Sequence, residues 1–118
     1  MPGQTDRDHN RRLSAAELGT ELGERATLVH FSTAFCQPCR ATRRVLAEVA
    51  ALVEGVTHIE IDAEAHLELV RALGISATPT VLVLDAGGHV VRRAAGLPGK
   101  AQVIAALGAV VQAGAGPW

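Results

Sequence analysis

Met1 to Arg12 combines Pro, Gly and alternating charge without any apolar rhythm, the pattern of a mobile tail. Periodicity begins at Leu13. Ser14 and Glu17 stand at capping-box spacing, and Leu18 and Leu22 recur four residues apart, which predicts a short helix ended by Gly23. Ala26 to Ser32 (ATLVHFS) gathers β-branched and aromatic residues into one run, as a buried strand does. From about Cys36, the apolar positions Val45, Leu46, Val49, Leu52 and Val53 return every three or four residues, with Arg43, Arg44 and Glu48 on other faces. That pattern predicts a long amphipathic helix closed by Gly55.

Val56 to Ile61 (VTHIEI) reads as a second strand stopped by Asp62, and Glu64 to Leu73 as a helix with Gly74 at its C-cap. Thr80 to Leu84 and His89 to Arg93 flank Ala86-Gly87-Gly88, which predicts a hairpin. After the breaks at Gly96 and Pro98-Gly99, a last helix from about Lys100 to Gln112 places Val103, Ile104, Leu107, Val110 and Val111 on its buried face. A loose Gly-rich end follows to Trp118. The order α-β-α-β-α-β-β-α implies an α/β fold: parallel strands from the alternating half, an antiparallel edge from the hairpin, and helices on both faces of a central sheet.

With 118 residues, the chain suits one domain, and 48% apolar against 19% charged residues excludes wholesale disorder. A net charge of −1, and only Phe31, Phe35 and Trp118 to stack on bases, argue against a nucleic-acid partner. The amino terminus has no apolar signal core and no run approaches the ~20 residues of a membrane helix, so a cytoplasmic protein without membrane attachment is expected. In a reducing compartment two cysteines point to catalysis, redox sensing or metal binding.

The pair stands in Phe35-Cys36-Gln37-Pro38-Cys39-Arg40, at the first turn of the long helix. Unpaired N–H groups and the positive end of the helix dipole stabilise a thiolate there, so Cys36 is the nucleophile by position. Cys39, one turn in, stands beside it to resolve a mixed disulfide, and Pro38 suits an early helical position. Five histidines (His9, His30, His58, His66 and His89) offer further zinc ligands, but neither a second C-x-x-C nor an H-x-x-x-H supports a closed metal site. No phosphate-binding glycine loop occurs. His9, His66 and His89 read as surface residues, and Glu60, Asp62 and Glu64 as strand-end and helix-start acids. Arg43-Arg44 and Arg92-Arg93 read as solvated faces, with steering of an acidic partner as the alternative.

The segment LVHFSTAFCQPCR, the later Thr78-Pro79-Thr80, the D-A-G-G turn and Gly96 agree in order and spacing, and over about Leu13 to Ala113 the chain resembles the thioredoxin family. That resemblance implies a thioredoxin-like fold with a central mixed four-stranded sheet, or a five-stranded one if Asn10 to Leu13 supplies a very short strand. It divides the chain into a tail (1–12), a domain (13–113) and a loose end (114–118). It implies a thiol-disulfide oxidoreductase acting on disulfides of target proteins, without metal or organic cofactor. Its electrons would come from a thioredoxin-reductase-like or other thiol donor, and it would be a monomer. Cys36 and Cys39 would be catalytic, and Pro79 would be a cis-proline facing them. The backbone of Thr78 would hold an extended substrate segment, with Phe35, Gln37 and Pro38 completing the binding surface. Phe35 and Gln37 replace the family's usual tryptophan and glycine. His30 aligns with the family's buried aspartate and His58 with its partner lysine. His30 is then either the acceptor of the Cys39 proton or, more commonly for a strand histidine, a ring satisfied by a backbone partner. These departures keep open a second reading, a redox-sensing or binding module dedicated to one partner with little turnover.

Overall fold

The computed structural model describes residues 11–96 and 98–115, the last four through their backbone only. The first helix, α1 (Ala15–Leu18), carries the expected capping box: the Ser14 side chain accepts from the Glu17 N–H, and the Glu17 carboxylate accepts from Ser14 N. It ends sooner than expected, at Gly19, whose φ of 79° is the left-handed cap that glycine adopts without a Cβ penalty. Gly23 is instead buried in the turn into the first strand, donating to Thr27 Oγ1 at 2.8 Å.

Strand β1 (Ala26–Ser32) is buried along its whole length, as its composition predicts. Helix α2 (Gln37–Leu52) follows and stops at Val53, which is extended, two positions before Gly55. After β2 (Val56–Asp62), the predicted helix over Glu64 to Leu73 divides. The Asp62 carboxylate accepts from Glu64 N and caps a single 3-10 turn, Ala63–Ala65. His66 leaves helical geometry, and α3 (Leu67–Leu73) begins after it, ending on Gly74. The hairpin is β3 (Thr80–Asp85) and β4 (Val90–Ala95). β4 starts one residue late because His89 N donates to Asp85 Oδ1 within the turn. Helix α4 (Lys100–Ala115) continues past Gln112 into the end that the sequence reads as loose. Met1–Asn10, Leu97 and Gly116–Trp118 lie outside the described residues.

The strands form one mixed sheet in the order β2-β1-β3-β4. β1 runs parallel to β2, from Ala26↔Val56 to Ser32↔Asp62, and antiparallel to β3, with Phe31 opposite Thr80. β3 and β4 are antiparallel with a bulge between Val83 and Leu84. Of the short strand considered at Asn10 to Leu13, Asn10 lies outside the described residues; Arg12 makes an isolated antiparallel bridge to His89, and Leu13 N donates to Gly88 O at 2.9 Å.

Alternation along β1 distributes two cores. Val29 and Phe31 pack with Leu13, Leu18, Ile59, Ile61, Leu82 and Leu84 on the α1/α3 face. Leu28 packs on the other face with Leu46 and Val49 of α2 and Val103, Leu107 and Val110 of α4. Ile104 belongs to neither: it is exposed, contrary to its predicted place on the buried face. His30 and Ser32, in step with Leu28, point to the α2 side. Among the described residues, no helix is long and apolar enough to cross a membrane.

Candidate functional site: a disulfide at a strand-to-helix junction

Ser32 ends β1, and the loop Thr33–Phe35 delivers Cys36 as the N-cap of α2, its backbone extended and its side chain making no cap hydrogen bond. Pro38 occupies the first turn, where a helix has no use for the N–H that proline lacks. Cys39 N donates to Cys36 O at 3.2 Å, and Thr42 Oγ1 to Pro38 O at 2.9 Å, which ties the first turn together. Cys36 and Cys39 form a disulfide, with their Cα atoms 5.2 Å apart. The two sulfurs belong to unlike surroundings. Cys39 is 1% exposed on the sheet-facing side of α2, whereas Cys36 is half-buried at its open end. Around Cys36, Ala34, Phe35, Gln37 and Arg40 line a shallow pocket of about 320 Å³, and Phe35 is 93% exposed. A larger cavity of about 440 Å³ lies between the hairpin and α4 and shares none of these residues.

The Thr78–Pro79 bond is cis, as expected. Because β3 is antiparallel to β1, Thr80 opposite Phe31 puts Pro79 at the end of the sheet where β1 hands over to the cysteine loop. Gly96 N donates to Pro79 O at 2.9 Å and Thr80 Oγ1 to Ala77 O, so the turn is held from both sides. Pro79 is buried and Thr78 half-buried.

Beneath α2 lies a polar cluster that joins His30 and His58 to Glu60, Ser32 and Arg43. His30 is fully buried, and neither ring nitrogen has a hydrogen-bond partner among the described residues, so the backbone-satisfied alternative does not hold. Its ring stacks on His58 with centroids 6.1 Å apart and planes 19° off parallel. Glu60, two residues on from His58 and on the same face, takes a bidentate contact from Arg43, Nε to Oε1 and Nη2 to Oε2, both at 2.6 Å. Ser32 Oγ adds a third hydrogen bond to Glu60 at 2.7 Å. Glu60 is therefore more than a strand-end acid, and of the two exposed arginines Arg43 is held by a carboxylate. The sequence carries part of the signal: His58 and Glu60 alternate on one face of VTHIEI, and Arg43 stands one helical turn beyond Cys39.

Burial pushes the His30 imidazole down from 6.5 to about 4, with the Glu60 charge opposing and the His58 and Arg43 charges assisting. Burial lowers His58 as well, against the pull of Glu60. The Arg43 hydrogen bond, helped by Ser32 and opposed by desolvation, holds the Glu60 carboxyl down at about 2. Both imidazoles are thus neutral at pH 7. Of the remaining histidines, His66 is exposed with Nδ1 3.0 Å from Asp62 O, and His89 is half-buried with Nδ1 3.2 Å from Asp85 Oδ1. No group of three metal-ligating side chains occurs among the described residues.

A family model described as a thioredoxin-like domain matches residues 14–111. The chain belongs to the thioredoxin family. It is 36% identical to a thioredoxin of Alicyclobacillus acidocaldarius over 91 residues, covering 76% of this chain and 86% of that one. It is also 32% identical over 85 residues to a bifunctional thioredoxin reductase/thioredoxin of Mycobacterium leprae, covering 71% of this chain and 18% of that longer protein. Among solved structures, that of chloroplastic thioredoxin z superposes with a TM-score of 0.65 at 28% identity, covering 74% of this chain and 79% of that one. A thioredoxin fold bearing a Cys36–Cys39 disulfide at the start of α2 is a thiol-disulfide oxidoreductase.

Proposed function

We propose that this thioredoxin-family protein reduces or exchanges disulfides in target proteins, with Cys36 as the attacking sulfur and Cys39 as the resolving one. The unequal exposure of the two bonded sulfurs carries this reading: only Cys36 is open to a partner. In the dithiol form, the positive end of α2 favours the Cys36 thiolate. That thiolate attacks a target disulfide, forms a mixed disulfide and expels one target sulfur as a thiolate. Cys39 then gives its proton to His30 and attacks Cys36, releasing the second target sulfur. The target gains two electrons and, from solvent and His30, two protons; the dithiol loses both and the Cys36–Cys39 disulfide returns.

His30 suits the acceptor role because it is neutral, unpartnered and on the face of β1 that α2 covers with Cys39. The substrate segment lies extended along the Thr78 backbone against Phe35, Gln37, Pro38 and cis-Pro79, an arrangement that adds main-chain hydrogen bonds at a sheet end. A reductase-type or other thiol donor in the cytoplasm regenerates the monomeric dithiol protein. The Mycobacterium leprae relative, named as both reductase and thioredoxin, supports that pairing.

The test is turnover of insulin disulfides driven by dithiothreitol. The unaltered protein accelerates reduction, Cys36→Ser abolishes the acceleration, and Cys39→Ser accumulates mixed disulfides trapped on Cys36. His30→Ala lowers the rate and displaces its pH profile; an unchanged rate and profile would eliminate the His30 role while leaving the cysteine assignment intact.

A further inference from the structure

Helix α2 turns one side to the sheet through Cys39, Thr42, Leu46 and Val49. On the opposite side, Gln37, Arg40 and Arg44, at helical spacings of three and four, are all exposed. Of the arginines in the first two turns, Arg43 is engaged by Glu60. Arg40 and Arg44 have no acidic partner among the described residues. The one acid on the helix, Glu48, lies a turn beyond and pairs with Lys100 Nζ at 3.5 Å. An uncompensated cationic stripe therefore leads away from the reactive sulfur, and Arg40 shares a pocket with Cys36 and the exposed ring of Phe35.

We infer that Arg40 and Arg44 are a docking stripe for an acidic segment beside the target disulfide, so that the protein selects target proteins whose reactive cysteine is flanked by Asp or Glu. This rests on the protein-disulfide reading above and narrows its substrate class. From Gln37 to Arg44 the helix rises about 10 Å, the reach of about three extended residues. A segment whose cysteine stands at Cys36 thus brings carboxylates within range of both guanidinium groups, which take carboxylates in a bidentate fork. Phe35 supplies the apolar contact that such charges, at an exposed rim, do not. Rim charges act mainly on encounter, so the preference belongs in kcat/KM and weakens as salt shortens the Debye length below about 10 Å.

Three disulfide peptides that differ only in flanking residues (Asp/Glu, Ala or Lys on both sides of the reactive cysteine) test this against the full chain with dithiothreitol as donor. At low salt the acidic peptide is expected to exceed the lysine peptide in kcat/KM by about tenfold, falling to within about twofold at 0.5 M salt. The ratio is the readout because any influence of Arg40 on the Cys36 thiolate acts equally on all three peptides. Arg40→Gln/Arg44→Gln collapses the ratio towards one, and Arg40→Lys restores most of it over Arg40→Gln. Equal turnover of the acidic and lysine peptides by the unaltered protein, or a ratio that survives in the double glutamine variant, overturns the docking stripe alone. Turnover of none of the peptides removes the protein-disulfide reading and the stripe together.

Discussion

Sealing an imidazole inside a sheet with neither nitrogen bonded costs roughly 1–3 kcal/mol, and His30 carries that cost at the centre of the most buried strand. It also makes stability depend on pH. The unfolded chain takes up the His30 proton near 6.5 and the folded one near about 4, so the unfolded state binds more protons between these values. Stability is therefore fully present above about pH 6.5 and is lost as pH falls towards 4, by up to about 3 kcal/mol for this residue. His58, lowered too, acts in the same direction; Glu60 and Arg43, which face the pair from β2 and α2, hold their charges through this window. Glu60 adds its own loss only below 4.5, as its carboxyl approaches about 2. His30→Leu is expected to raise stability at pH 7 by about 1 kcal/mol and to halve, at least, the drop between pH 7 and pH 4.5. Urea midpoints at the two pH values check this, and a variant that loses as much stability as the parent shows that His30 is not the titrating group. On the proposed role of His30 as proton acceptor, the stability gained is expected to come with slower thiol exchange.

Elements were legible where one signal dominated. β1 was readable to the residue because its run of β-branched, aromatic and apolar residues is buried on both faces, and the start of α2 because cysteine, proline and periodicity coincide. Helix ends were less so, since Gly19 and Gly23 are both plausible stops and only the path of the chain decides between them. The split at His66 depends on Asp62 capping a 3-10 turn, which the leucine spacing does not reveal. The Arg43–Glu60–Ser32 contacts join three elements, so no local pattern could have shown them whole. The bridge between Arg12 and His89 depends on Gly88, with φ of 89° and a would-be Cβ only 2.3 Å from Leu13 O. Gly88→Ala is expected to cost at least about 2 kcal/mol, and hydrogen exchange at the Leu13 amide, which bonds to Gly88 O, should accelerate. Gly87→Ala, whose added methyl meets side-chain atoms and no backbone, the His89 ring at 3.2 Å and Asp85 Oδ1 at 3.5 Å, is the milder control. Equal losses in the two variants would show that the approach of Leu13 to Gly88 is not what fixes the bridge.

Across the whole molecule, the reactive pair sits where the best-held part of the fold meets solvent. β1 is hydrogen-bonded on both sides, by β2 and β3, and covered on both faces by apolar layers. By contrast, β4 is mostly exposed and α3 buries only Leu73. Local opening free energies follow such differences, so the amides of Leu28 to Phe31 should exchange only through global unfolding, and those of α3 and β4 through smaller openings. The half-buried partner of the disulfide, Cys36, lies beyond the end of β1, and the buried one, Cys39, is on the sheet-facing side of α2. Making and breaking the bond is therefore expected to leave the strand behind it undisturbed. Native-state exchange measured on the oxidised and dithiol forms should give the same protection ranking, with β1 slowest in both once differences in global stability are subtracted. Selective acceleration of β1 amides on reduction would mean that the strand yields with the bond, and that the site depends on the disulfide for its shape instead of on the sheet.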